Sequence, residues 1–121
     1  MKMKRTFRWI LALLFIAGGL FHFVHPDFYL EIMPDYLPWK RFLVGISGLL
    51  EVIAGTCLLI SDLRSFGSML LIVLLVSFLP VHIQHVVDHG YISEDIQIAP
   101  IFAWARLVFQ AVLLVWARWV R

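Results

Sequence analysis

Residues 42–60 read FLVGISGLLEVIAGTCLLI, a stretch whose only charge is Glu51. That length and polarity match the ~20 residues an α-helix needs to cross a hydrocarbon core. A helix suits such a stretch because it satisfies every backbone N–H and C=O within the segment. Three more runs of this kind lie at 7–24, 66–87 and 98–116. Strict apolar–polar alternation is absent from all four, which argues against a membrane β-barrel. The sequence therefore predicts an all-α membrane protein: a four-transmembrane-helix antiparallel bundle, forming a single domain over residues 1–121.

Composition agrees. The 121 residues are 62% hydrophobic and 15% charged, with a mean hydropathy of +0.91. A water-soluble domain is nearer half apolar and a quarter charged, so a soluble globule is not expected. The length allows one domain. Net charge is +2, but the basic residues gather at the chain ends and no basic face recurs along a helix, so a nucleic-acid partner is not expected. The single cysteine, Cys57, excludes an internal disulfide or a CxxC centre. Nothing matches a phosphate-binding loop, a dinucleotide fingerprint or a nucleophile elbow. The first apolar run follows Lys2, Lys4, Arg5 and Arg8. It is longer than a signal-peptide core and no small-x-small cleavage pattern follows it, so it counts as a span.

Lysine and arginine set the expected orientation. With both termini cytoplasmic, the inner side carries Lys2, Lys4, Arg5, Arg8, Arg64, Arg118 and Arg121, against Lys40 and Arg41 outside. The outer loops are acidic, with Asp27, Glu31 and Asp35 in one and Asp88, Glu94 and Asp95 in the other. Between the first two spans, residues 25–39 mix aromatic and aliphatic side chains with three acids and three prolines. The expectation is an interfacial outer segment, its aromatics at headgroup level and its prolines preventing one continuous helix, placed to cover the bundle.

Ionisable groups inside a span are costly and ask for a reason. Glu51 lies nine residues inward from Phe42, about 13 Å deep, and Arg106 lies eight residues inward from Ile98, about 12 Å deep. At matching depths the two can meet as an ion pair. Ser47 is one turn above Glu51 and Gln110 one turn below Arg106. These four, with His22, form a candidate ligand-binding seam inside the bundle. A buried pair that only fixes helix register is the competing reading.

All five histidines fall at the outer ends of two spans: His22 and His25 on the first, His82, His85 and His89 on the third. The i, i+3, i+7 spacing of the second set keeps it within one face of a helix. Imidazoles from both sets can surround one point, so His82, His85, His89 and His25 are candidate ligands for a metal or haem. The competing reading is that they reach toward headgroups or cap helix ends. Gly18, Gly19, Gly45, Gly48 and Gly55 are expected to allow close helix packing, and Cys57 to be an inert core thiol. Pro80 should free a carbonyl near residue 76 and kink the third span.

The order of these features resembles the DoxX-like family of small four-helix bacterial membrane proteins. The resemblance rests on Gly18-Gly19-Leu20-Phe21-His22-Phe23, His25-Pro26-Asp27-Phe28-Tyr29, Ile32-Met33-Pro34 and Tyr36-Leu37-Pro38. It continues through Ile46-Ser47-Gly48, Glu51 and Gly55, then Phe78 and Pro80, and Trp104, Arg106, Leu107 and Gln110. His82 and His85 depart from the family's usual third span. The resemblance implies a multi-pass protein of the bacterial inner (plasma) membrane associated with respiratory or thiol redox systems and with a redox partner protein.

Three readings follow. The first is a redox-associated membrane subunit that binds a quinone-like or other amphipathic ligand in the outer half of the bundle. The second is a histidine-based metal or haem-binding protein. The third is a non-catalytic scaffold or chaperone subunit. Conduction is disfavoured because four helices leave little room for a pore without a homo-oligomer.

Overall fold

The four apolar runs fold as helices. The computed structural model describes residues 2–33, 36–91 and 97–121. It contains α1 (Lys2–Val24), α2 (Pro26–Ile32), α3 (Lys40–Leu59), a 3-10 turn at Ser61–Leu63, α4 (Arg64–Val87) and α5 (Pro100–Trp119). Lys2–Val24, Lys40–Leu59, Ser61–Val87 and Pro100–Trp119 are each long and apolar enough to cross a membrane. Their outward faces are apolar too: Val73, Val108 and Val115 are more than half exposed. Apolar surface on this scale marks a face that meets a membrane or a protein partner.

Neighbours run antiparallel. Gly19 of α1 lies against Gly48 of α3, and Ala12 against Gly55. Ser68 of α4 donates to the Ala117 carbonyl of α5 at 2.7 Å, and Gln110 of α5 donates to the Leu75 carbonyl at 3.1 Å. The α1–α3 contact is the closest. A Cβ on Gly48 would lie 2.6 Å from the His22 Cβ and 2.9 Å from the Gly19 carbonyl oxygen. Gly18 and Gly45, expected at the same interface, instead have open space where a Cβ would go. Cys57 is buried and free.

The bundle has two unlike halves. At the end holding the start of α1 and the end of α5, Leu11, Ala12, Ala54, Leu58, Leu71, Ala117 and Val120 make a closed apolar core. Phe7 meets the Trp116 and Trp119 rings edge-on at 5.8 and 5.7 Å, and Arg8 Nε donates to the Val120 carbonyl at 2.8 Å. These contacts tie α1 to α5.

At the opposite end the helices carry α2. Pro26 stands in its first turn, where a missing N–H costs nothing, so the predicted covering segment is partly helical. Of the acids and prolines expected in the outer loops, Pro34, Asp35, Glu94 and Asp95 lie outside the described residues. α4 continues through Pro80 as one helix. It ends at His89 and Gly90, whose φ angles of 54° and 89° are left-handed. There Gly90 N–H donates to the His85 carbonyl at 2.9 Å, a common helix ending.

Candidate functional site

His22 occupies the last turn of α1 and is 6% exposed; Glu51, midway along α3, is 7% exposed. The absent Cβ of Gly48 lets the imidazole lie against α3. Its Nδ1 is 3.0 Å from the Val44 carbonyl oxygen and 3.1 Å from Ser47 Oγ, while Ser47 Oγ itself donates to that carbonyl at 3.0 Å. A carbonyl only accepts, so Nδ1 carries a proton. The other ring nitrogen, Nε2, lies 3.0 Å from Glu51 Oε2. Two lone pairs would repel at that distance, so one of the two atoms carries a proton. The dyad is neutral overall. Its alignment is that of an ion pair more than of a directed hydrogen bond, and Oε2 has no aligned donor from the described residues.

A second dyad stands on α4 and α5. His85 is 4% exposed, and its Nε2 is 2.9 Å from the Ile32 carbonyl oxygen at the end of α2. Arg106 Nη1 is 3.2 Å from His85 Nδ1. Guanidinium only donates and carbonyl only accepts, which assigns a neutral imidazole protonated at Nε2. The two histidines thus present opposite ring nitrogens to a backbone carbonyl, Nδ1 in His22 and Nε2 in His85, and turn the other nitrogen to Glu51 and Arg106 respectively.

Tyr29 of α2 lies over His22, ring centroids 3.8 Å apart and tilted by 36°. Phe21 and Phe28 pack edge-on to it at 5.6 and 5.3 Å. Burial, and then the negative charge of Glu51, push the Tyr29 phenol up to about 12 from an ordinary 10.0. The native state therefore keeps this proton after an unfolded chain has released it. Its contribution to stability is whole below pH 10 and is lost as pH rises toward 12. Tyr29→Phe should flatten the fall in stability across that window; an unchanged pH profile would place the phenol in open water.

Between these groups lies a cavity of about 580 Å³, within the range of small-molecule sites. His22, Ser47, Glu51, Arg106 and Gln110, all five side chains singled out from the sequence, line it. Its remaining wall is mostly apolar, with Phe15, Leu50, Phe78 and Leu113 among its residues. The expected Glu51–Arg106 ion pair is not formed. Each faces the cavity but is engaged by a histidine from the helix beside it. The helices stand far enough apart on this side for a cavity to intervene.

The four histidines considered as metal ligands have separate places. His82 lines the cavity, its Nδ1 buried and without a partner. His85 has both ring nitrogens engaged. His25 is exposed, its ring 5.1 Å from Phe21, and His89 occupies the left-handed turn that ends α4. Among the described residues, no group of three or more His, Cys, Asp or Glu side chains is arranged to hold a metal ion.

Two parts of the site had no sequence signal. The Val44 and Ile32 carbonyls are backbone atoms, which any residue type supplies. Tyr29 belonged to the covering segment, but its stacking on His22 depends on the turn between α1 and α2.

No curated protein and no solved structure matches this chain significantly. The family described as "Domain of unknown function (DUF8561)" matches residues 11–121, which cover α3 to α5 whole, all of α2 and most of α1, and the chain belongs to that family.

Proposed function

We propose that this multi-pass membrane protein binds a small amphipathic, quinone-like ligand in the cavity beneath α2, and serves as a redox-associated subunit of a bacterial inner membrane. One observation carries the reading. A largely apolar cavity between apolar helices holds a proton-sharing His22–Glu51 dyad, an arginine and an unpartnered histidine nitrogen. Apolar walls suit a lipid-soluble body, and the few polar groups suit a head that accepts hydrogen bonds and exchanges protons.

Each residue then has a task. Arg106 uses one N–H on His85 and has further donors for a carbonyl oxygen of the head. The His22–Glu51 dyad passes its shared proton to a second oxygen or takes one back. Gln110 anchors α5 to α4 through the Leu75 carbonyl beside the cavity. Tyr29 covers His22 and limits water at the dyad. The excess of Lys and Arg at the end holding the termini supports an orientation with that end in the cytoplasm and α2 outside. The resemblance to DoxX-like proteins supports the redox association.

The one-isoprene ubiquinone should raise the thermal unfolding midpoint of the wild type in mild detergent. It should leave Glu51→Gln and Arg106→Ala unprotected. A charge-assisted hydrogen bond contributes roughly 1.5–3 kcal/mol, so each variant should bind about 10- to 100-fold more weakly. Equal protection of all three proteins would remove both residues from the ligand site.

A further inference from the structure

The second cavity, at the end of the bundle away from α2, has a different chemistry. It measures about 320 Å³ and is lined by Arg5, Arg8, Trp9, Leu58, Leu59 and Arg64. Three guanidinium groups converge on it from α1 and from the start of α4. Arg8 is held by its Nε bond to the Val120 carbonyl and lies within electrostatic reach of both Arg5 and Arg64. Arg64 Nε is buried with no hydrogen-bond partner. Among the described residues, no carboxylate lies within ion-pair distance of these arginines. The nearest acid in sequence, Asp62, is exposed.

Three like charges around a shared hollow repel one another unless an anion lies between them. Arg64 also opens α4, where a cation opposes the helix dipole and an anion is favoured. Guanidinium groups match phosphate oxygens in pairs, which makes phosphate the best-fitting anion. The position adds a further constraint. The cavity lies at the ends of apolar helices, with Leu58 and Leu59 in its wall and the indole of Trp9 beside it, which is the level of lipid headgroups. We infer that Arg5, Arg8 and Arg64 bind a phosphate group, presented by an anionic phospholipid whose glycerol end rests on Leu59. This site is independent of the cavity beneath α2.

The test compares the full-length protein in nanodiscs of phosphatidylcholine alone, the same with added phosphatidylglycerol, and the first with inorganic phosphate. Binding is read by native mass spectrometry and by the thermal midpoint. The wild type should retain one phosphatidylglycerol and gain stability from it. Arg5→Gln and Arg64→Gln should weaken retention at least tenfold and lose the gain, while remaining as stable as wild type in phosphatidylcholine because a repulsive charge has been removed. Arg118→Gln, an equal loss of charge at an exposed position on the same end, should behave as wild type. Protection by inorganic phosphate alone, lost in Arg64→Gln, would assign the anion to a soluble phosphate and overturn the lipid source. Equal retention by Arg64→Gln and wild type, or an equal loss in Arg118→Gln, would overturn the site itself.

Discussion

His22→Ala is expected to destabilise the bundle by about 3–5 kcal/mol, the cost of leaving one member of a buried charge pair unpaired. Among the described residues, the variant removes the only group within ion-pair distance of Glu51, and it leaves a 7%-exposed carboxylate facing an apolar cavity. It also frees the Val44 carbonyl from its imidazole donor. Removing both partners should cost far less. In His22→Phe/Glu51→Leu the charge and its neutraliser go together, and apolar replacement of such pairs is often neutral or stabilising. Denaturant-titrated unfolding in detergent measures both effects. If His22→Ala unfolds at the wild-type midpoint, Glu51 is neutralised by some other means and the dyad does not hold the helices in register.

The second large effect is expected at Gly48. A Cβ there would lie 2.6 Å from the His22 Cβ and 2.9 Å from the Gly19 carbonyl oxygen. One of these neighbours is backbone, which cannot turn aside as a side chain can. Gly48→Val should therefore push α1 from α3 and destabilise by about 3 kcal/mol, at the upper end of ordinary overpacking. It should also move His22 off Glu51, so ligand protection should disappear along with stability. Gly18→Ala is the control. Its Cβ meets nothing, and alanine in place of a helical glycine should be neutral or gain up to about 1 kcal/mol. The same loss in both variants would show that the close approach of α1 at Gly48 does not set the cost.

Several features were legible in the residues because they depend on composition along the chain. The four spans follow from continuous apolar runs, and the helix order from the short polar link at Ser61–Leu63. His22, Ser47, Glu51, Arg106 and Gln110 follow from the rarity of polar residues in such runs. Pairing was not legible. Depth placed Glu51 and Arg106 at the same level, but level does not specify which helix face looks at which neighbour. That depends on how far apart the helices stand. Gly19, Gly48 and Gly55 draw α1 onto α3 and bring His22 to Glu51, whereas larger side chains leave the cavity between Glu51 and Arg106. The glycines themselves could not be sorted by sequence either. Gly18 and Gly45 differ from Gly19 and Gly48 only by helix face, and a glycine has no side chain whose polarity would mark that face.

The most direct test of the central claim is photolabelling with an azido-quinone in reconstituted membranes, followed by mapping of the labelled positions. The account predicts labelling around the cavity, on α2 near Tyr29, on α3 near Ser47 and on α4 near His82, suppressed by excess unlabelled quinone. Labelling confined to the outward faces, at positions such as Leu13, Val108 and Val115, and insensitive to competition, would contradict it.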